Sequence, residues 1–410
     1  MESHVNKSLS ALLAAGATVA AANLLFAQSA VMPATPAPPT VAAAAAAAAA
    51  SAPIAAPAIN AAAYLVVEAT SGQVLAESNT KQRRDPASLT KLMTAYLVFD
   101  ALHQKQLSLG QRLPVPERAW KAEGSRMFIE PGVPITTEDL LRGLIIQSGN
   151  DAAIALAIAV AGNESEFVSR MNREAKRLGM EGTQFLNPTG LTQQGHYSTA
   201  HDLAILALAL MRNFPQYTKF YAEKSYTYNR IVQENRNRLL FSDPTVDGLK
   251  TGHTEAAGWC LIATVNRPPR KLLTVVLGAP SEALRIAESR KLIDWAFTAY
   301  EGRKLFEGGK AIQQLAVWKS TVDAIPVGVR EDVIAVSDAG KGSSISTELT
   351  IPEPRLGPLV AGDTVGKLRV LRAGSVIYER DVIAMESAPS ASIWKRAVHS
   401  VVLWWKGMFK

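Results

Sequence analysis

What this chain lacks narrows its chemistry before any motif is considered. Its 410 residues contain a single cysteine, Cys260. That excludes an internal disulfide and any cysteine-rich metal site, though not export, because exported chains need no disulfide. Charge is missing altogether from residues 8 to 67, and acidic side chains are missing from Ala391 to Lys410. The 43 Lys and Arg outnumber the 36 Asp and Glu, for a formal charge of +7. The basic residues are scattered, so no concentrated face for nucleic acid exists and no nucleic-acid partner is expected. The length is enough for two or three domains with a sizeable core.

The uncharged N-terminal stretch divides in two. Lys7 precedes an apolar run from Leu9 to Ala27, and Ala27-Gln28-Ser29-Ala30 offers small residues for cleavage after Ser29. Residues 1–29 therefore read as a secretory signal peptide; an uncleaved anchor is the alternative, since the run is nearly long enough to span a bilayer. Residues 30–61 are dominated by Ala and Pro around the nine-alanine run Ala42 to Ala50. With too few large apolar side chains for a core, they read as a linker.

Folded sequence begins near Tyr64. Tyr64 to Glu77 predicts a hairpin turning at Ser71-Gly72-Gln73. Apolar periodicity predicts helices from Ser88 to about Leu102, Asp139 to Gln147, Ala152 to Val160, Ser165 to Leu178, Ala200 to Arg212 and Ser281 to Tyr300. Gly248 to Gly252, Trp259 to Asn266 and Leu272 to Gly278 predict three strands. Strands at both ends with helices between them predict an α/β domain over 62–304, an antiparallel sheet covered by helices. Residues 305–390 change to short apolar runs between Gly and Pro turns, predicting a small all-β sandwich.

Three clusters carry chemistry. Ser88 and Lys91 lie one helical turn apart just after Pro86, so a hydroxyl and an amine share a face beside the free N–H groups of a helix start. If the amine loses its proton, the pair can act as nucleophile and base, and the N–H groups suit the anion formed when a carbonyl is attacked. Ser148-Gly149-Asn150 interrupts two apolar helices, where small and amide side chains have no packing purpose. Lys250-Thr251-Gly252 ends a predicted strand ahead of His253. Singly, each also fits an ordinary helix start, turn or strand edge.

Taken together in this order, S-x-x-K, S-G-N and K-T-G resemble the active-site motifs of the serine penicillin-recognising proteins. Arg84 to Lys91, Ile146 to Ala152, Asn187-Pro188-Thr189-Gly190-Leu191, Ser198 to Ala204 and Asp247 to Thr254 resemble the low-molecular-mass D-alanyl-D-alanine carboxypeptidases. The likeness covers about residues 62–300, and the β domain and tail match that family's layout. It implies a β-lactamase/transpeptidase-like catalytic fold and a serine DD-carboxypeptidase that removes the terminal D-alanine of peptidoglycan stem pentapeptides, without a cofactor and with β-lactams as covalent inhibitors. By the same resemblance, Ser88 is the nucleophile and Lys91 the base, kept neutral by burial and the charge of Lys250. Ser148 relays a proton, Asn150 holds the substrate amide or the Lys91 amine, and Lys250, Thr251 and Gly252 form the substrate-binding strand. The N–H groups of Ser88 and His253 form the oxyanion hole, and Arg236 matches an arginine near the terminal carboxylate, with Arg285 a weaker candidate.

Other readings use the same residues. A DD-endopeptidase would share the site, and a catalytically silent wall-binding protein would not need Ser88, Lys91, Ser148 and Lys250 intact. A class A β-lactamase needs a deacylating glutamate in an E-x-x-L-N stretch, which this sequence lacks. His196, His201 and Asp202 have no further ligand cluster beside them to make a metal site; His201 and Asp202 open a helix. Cys260 is expected in the core. In residues 391–410, Ile393, Trp394, Val398, Val401, Trp404 and Trp405 segregate from Lys395, Arg396, His399 and Lys406 on a helical wheel, with Leu403 the misfit. Basic charge opposite tryptophans predicts a helix lying in an anionic membrane surface rather than crossing it, on the periplasmic face of the inner membrane.

Overall fold

The computed structural model describes residues 55–340 and 345–408. The expected signal peptide and all but the last seven residues of the linker lie outside them. Hairpin β1 (Ala63–Glu68) and β2 (Val74–Ser78) is followed by a 3-10 turn, Ala87–Thr90, that runs directly into helix α1 (Lys91–His103). Helices α2 (Asn150–Ala161), α3 (Glu164–Leu178) and α4 (Ala200–Asn213) lead to strands β3 (Val246–Thr254), β4 (Gly258–Arg267) and β5 (Arg270–Ala279), and then to α5 (Glu282–Ala299). The strands form one antiparallel sheet in the order β2-β1-β5-β4-β3, so the N-terminal hairpin closes onto the last strands.

Helix α1 is the centre of this domain. Every residue from Lys91 to Leu102 except Asp100 is buried, so the helix is enclosed on all sides rather than amphipathic. Helices α3, α4 and α5 start with side-chain caps: Asn163 Oδ1 accepts from the Glu166 N–H, Thr199 Oγ1 from the Asp202 N–H, and Ser281 Oγ from the Leu284 N–H. The single helix expected over Asp139 to Gln147 is two pieces, an α-helix at Thr137–Arg142 and a wider π turn at Gly143–Gln147. That turn ends on Ser148 in the left-handed conformation (φ 65°), which sends the chain across to α2.

The β domain starts at Tyr300, ahead of the expected residue 305, because α5 passes into strand β6 (Tyr300–Phe306) without a linker. Strands β7 (Ala311–Trp318), β8 (Ala324–Gly328), β9 (Val333–Asp338), β10 (Ile345–Thr350), β11 (Arg355–Leu356), β12 (Thr364–Arg372) and β13 (Ser375–Ala384) follow. Six of them form a sheet in the order β10-β12-β13-β8-β7-β11, and β6 pairs with β9 as a separate ribbon. Every residue of β9 is buried. Val333 and Ala335 pack into the core of the six-stranded sheet, while Ile334 and Val336 pack with Val66, Leu75, Leu272 and Val276 of the first domain. Alternation along one strand thus joins two cores. The tail forms helix α6 (Ile393–Met408).

Candidate active site

The three motifs come from separate elements and meet in one cleft of about 550 Å³, lined by Ser88, Ser148, Asn150, Thr251, Gly252, His253 and Arg236 among others. Ser88 lies in the 3-10 turn rather than in an α-helix, one residue after Ala87, whose φ of 47° is strained for a residue with a side chain. Two contacts hold Ala87 there. Its N–H donates to Asp85 Oδ1 at 2.7 Å, and Gly190 lies against its carbonyl so closely that a Cβ on Gly190 would sit 1.8 Å from the oxygen. Gly190 itself has φ 83°, so only glycine fits.

Lys91 Nζ is 3.0 Å from Ser88 Oγ, 2.7 Å from Asn150 Oδ1 and 2.6 Å from the Thr189 carbonyl oxygen. Those are three partners for three N–H bonds of an ammonium group. In the neutral amine the two carbonyl oxygens still take two N–H bonds, and the lone pair is left facing the Ser88 hydroxyl. Burial is the main force removing the proton, the positive charge of Arg236 adds to it, and Asp151 opposes both; the pKa falls to about 7. The second contribution therefore comes from Arg236, where the sequence pointed to Lys250.

Lys250 Nζ donates to Ser148 Oγ and to the Thr251 carbonyl, both at 2.9 Å. Its pKa is also driven well down, first by burial and then by Lys91, Arg236 and Arg285. Two buried amines and a hydroxyl thus line up from Ser88 to β3. Asn150 is anchored on its other side by donating from Nδ2 to the Glu123 carbonyl at 2.6 Å. Gly149 has no room for a side chain, since a Cβ would lie 2.7 Å from Asp151 Oδ1.

Arg236 reaches the cleft, but two of its nitrogens are engaged: Nε donates to the Gln147 carbonyl at 3.0 Å and Nη2 to Ser125 Oγ at 2.7 Å. It braces the Ser148 turn against the loop at Ser125. Arg285 also lines the cleft, with Nη2 on Glu282 Oε1 at 2.7 Å and its guanidinium 5.2 Å from the Trp259 ring centre. Trp259 in turn stacks on His253 at 3.9 Å between ring centres. An anion entering here meets Arg236, Arg285 and the Lys250 amine behind Thr251. The arrangement can deprotonate a hydroxyl beside a cationic pocket that selects a carboxylate, which is the chemistry of acyl transfer from a substrate ending in a carboxylate.

The histidines and the cysteine fall elsewhere. His196 is buried; its Nδ1 accepts from the Leu186 N–H at 3.1 Å, so Nε2 carries the proton toward Thr90 Oγ1, 2.9 Å away. Burial pulls its pKa down to about 4, which keeps it neutral. Asp202 accepts from the Gly182 N–H and the Thr183 hydroxyl at the start of α4. Among the described residues no group of three or more His, Cys, Asp or Glu is gathered for a metal. Cys260 is buried on β4, its thiol pushed up to about 11 by burial.

Known proteins are similar to this chain in sequence and in fold. The peptidase S11 profile, D-alanyl-D-alanine carboxypeptidase, matches residues 47–281, and the C-terminal domain of penicillin-binding protein 5 matches residues 300–390. The D-alanyl-D-alanine carboxypeptidase DacC of Escherichia coli (strain K12) is 37% identical over 358 residues, covering 85% of this chain and 90% of that protein. The chain belongs to the D-alanyl-D-alanine carboxypeptidase family. Penicillin-binding protein 5 from Haemophilus influenzae superposes with a TM-score of 0.70 at 35% identity, covering 82% of this chain and 100% of that one. Penicillin-binding protein D2 from Listeria monocytogenes, solved with ampicillin bound, has a TM-score of 0.54 at 30% identity, covering 59% and 98%. The fold is accordingly a penicillin-binding α/β catalytic domain followed by a C-terminal β domain.

Three features of this carboxypeptidase site escaped sequence reasoning. The Thr189 carbonyl contributes a backbone atom, which no residue type advertises, although Asn187 to Leu191 stood out as a motif. Asn187 Oδ1 fixes that loop by accepting from the N–H groups of Thr189 and Gly190 and from the Thr189 hydroxyl. Asp151 accepts from the N–H groups of Met127, Phe128 and Ile129, tying down the segment beside the cleft. Its only signal was an acid next to Asn150 in an otherwise apolar helix. Trp259 and Glu282 complete the far wall, and nothing in their sequence context marked them.

Proposed function

We propose that Ser88 is the acylated nucleophile of this enzyme and Lys91 its base. The protein is a serine-type D-Ala-D-Ala carboxypeptidase, a cell-wall hydrolase. In the proposed cycle the neutral Lys91 amine takes the Ser88 proton as Oγ attacks the carbonyl between the last two D-alanines. The N–H groups of Ser88 and His253 hold the oxyanion. Ser148 passes the proton that Lys91 took from Ser88 on to the leaving amine, which restores the neutral Lys91 as the C–N bond breaks and D-alanine leaves. A water then gives a proton to Lys91 and attacks the ester, and Lys91 returns that proton to Ser88 Oγ as the C–O bond breaks and the shortened stem peptide leaves. The arriving terminal carboxylate binds Thr251 and Lys250, and its negative charge favours the protonated form of Lys250, so that amine gains its proton when substrate is present.

The observation that carries this reading is the Lys91 amine, buried and held 3.0 Å from Ser88 Oγ by two carbonyl oxygens. β-Lactams would acylate the same hydroxyl. Labelling with a fluorescent penicillin tests it: the wild type should be labelled covalently and Ser88→Ala should not. A wild type that stays unlabelled, or an alanine variant that labels equally, would remove Ser88 from the role.

We also assign residues 62–299 to the catalytic domain and 300–390 to the β domain, with the boundary drawn at the first strand, residues 30–61 to a linker and residues 1–29 to export. The uncharged N-terminal segment supports secretion into the periplasm. Among the described residues no single helix is long and apolar enough to cross a membrane. The amphipathic composition of residues 391–410 supports peripheral attachment to the periplasmic face of the inner membrane. Removing them should release the protein from membranes and leave hydrolysis of short D-Ala-D-Ala peptides within about twofold of wild type, since no residue of α6 lines the cleft.

A further inference from the structure

Helix α6 sits on the β domain with the face that sequence alone would assign to lipid headgroups. Lys395 Nζ pairs with Asp323 at 2.8 Å and donates to the Thr321 carbonyl at 3.2 Å. One turn on, His399 Nδ1 accepts from the Lys319 N–H at 2.8 Å, and its ring meets Trp318 edge-on at 5.2 Å. Lys406 Nζ lies 4.9 Å from the Trp318 ring centre. Leu403 belongs to this same face and is half-buried, which accounts for its place among basic neighbours on the wheel. The lead-in strengthens the seating: Ala391 N–H donates to the Lys319 carbonyl and Thr321 N–H to the Pro389 carbonyl, both at 2.9 Å. The apolar face points away from the domain, with Ile393 82%, Trp394 83%, Val398 59%, Val401 62% and Trp404 62% exposed.

Resting on the membrane reading above, we propose that α6 is a docked foot whose apolar face inserts into the bilayer interface, while Lys395, His399 and Lys406 grip the β domain instead of the headgroups. The occupant is a lipid surface because the exposed face combines three tryptophans, Trp394, Trp404 and Trp405, with branched aliphatic side chains and no acid, the composition of an interfacial helix. Attachment is then carried by apolar burial and not by charge. It also fixes how the β domain stands on the membrane, since the strand end at Trp318 is rigidly part of that domain.

Charge-driven and insertion-driven attachment differ in salt. A lysine near an anionic surface contributes about fivefold, and that contribution collapses as the Debye length falls from about 10 Å in 0.1 M salt to about 3 Å in 1 M. The full chain should be partitioned onto phosphatidylcholine vesicles and onto vesicles containing phosphatidylglycerol at about those two salt concentrations. Insertion predicts binding to both lipids, changing less than about threefold with salt. Trp394→Ser with Trp404→Ser should abolish binding to both. Asp323→Lys with His399→Ala, which undocks the basic face, should bind phosphatidylglycerol more tightly at low salt and lose that gain, about fivefold or more, at high salt. Penicillin labelling should be unchanged in every variant and reports folding.

Binding confined to phosphatidylglycerol with a steep salt dependence would overturn the docked foot and leave membrane attachment standing. An undocking variant with unchanged salt response would also overturn it. Failure to bind either vesicle would overturn attachment itself, and concentration-dependent dimerisation in the absence of lipid would instead assign the apolar face to a second copy.

Discussion

A lysine makes a poor base at neutral pH unless its surroundings work against its charge. Lys91 is enclosed in the core at the head of α1 and feels the positive charge of Arg236, and the result is a pKa near 7. The sign of the pH dependence follows. Below that value the amine is protonated and has no lone pair for the Ser88 hydroxyl; above it the neutral form dominates. Acylation of Ser88 by a penicillin, followed from about pH 5 to about pH 9, should therefore fall about tenfold per pH unit on the acid side, with an apparent pKa near 7. An acid limb near the ordinary lysine range would mean that another group accepts the proton. The neutral amine comes at an expense visible in the fold, where Asn150 Oδ1 and the Thr189 carbonyl are both committed to keeping it in place.

At the scale of elements, the segment from Glu123 to Ile129 has no regular structure, yet it forms one wall of the cleft. Asn150, Arg236 and Gln233 hold its Glu123, Ser125 and Met127, and one carboxylate gathers its last three N–H groups. Asp151 Oδ1 accepts from the Met127 and Ala152 N–H groups, and Oδ2 from those of Phe128 and Ile129. In Asp151→Asn the amide NH₂ would confront backbone donors, at a cost of roughly 2–4 kcal/mol in stability measured by denaturant unfolding. The same change removes the charge that raises the Lys91 pKa, so the acid limb of acylation should move to lower pH. A purely structural role for Asp151 would lower stability and leave the limb where it is.

Which elements were legible follows from similar considerations. Strands β3 to β5 and helices α2 to α5 carry their periods openly because each packs a continuous apolar set, and their predicted ends fall within a few residues of the observed ones. The 3-10 turn at Ser88 and the π turn before Ser148 were not legible. The first is set by a local bond to Asp85 together with the close approach of Gly190 from elsewhere in the chain, and the second runs into the left-handed backbone of Ser148. Ser88, Lys91, Ser148, Asn150 and Lys250 were recoverable because their chemistry resides in side-chain type and spacing. The brace made by Arg236 was not, because its acceptors are a backbone carbonyl and a serine more than a hundred residues earlier. Helix α6 was legible as amphipathic, but its wheel could not say which face the β domain would occupy.

On the scale of the whole molecule, the two domains behave as one structure because β9 serves both. Ile334 and Val336 fill a cluster with β1, β2, β5 and α5, while Val333 and Ala335 fill the β-domain core. Tyr300 Oη, at the start of β6, donates to the Leu75 carbonyl at 3.3 Å, and Arg380 of β13 donates to the Thr70 carbonyl in the hairpin turn. Cutting the chain at Tyr300 would leave Val66, Leu75, Leu272 and Val276 facing water. Calorimetry should therefore record a single unfolding transition. Ile334→Ala should destabilise it by about 2–4 kcal/mol through the cavity it leaves between the domains. Loss of penicillin labelling on heating and loss of β-domain structure should shift together by the same few degrees. Two separated transitions, with labelling unaffected by Ile334→Ala, would show that the domains fold independently and that β9 belongs to the β domain alone. A shared transition has a functional consequence: if α6 fixes the β domain on the lipid surface, the stiffness of the β9 contact carries that orientation through to Ser88.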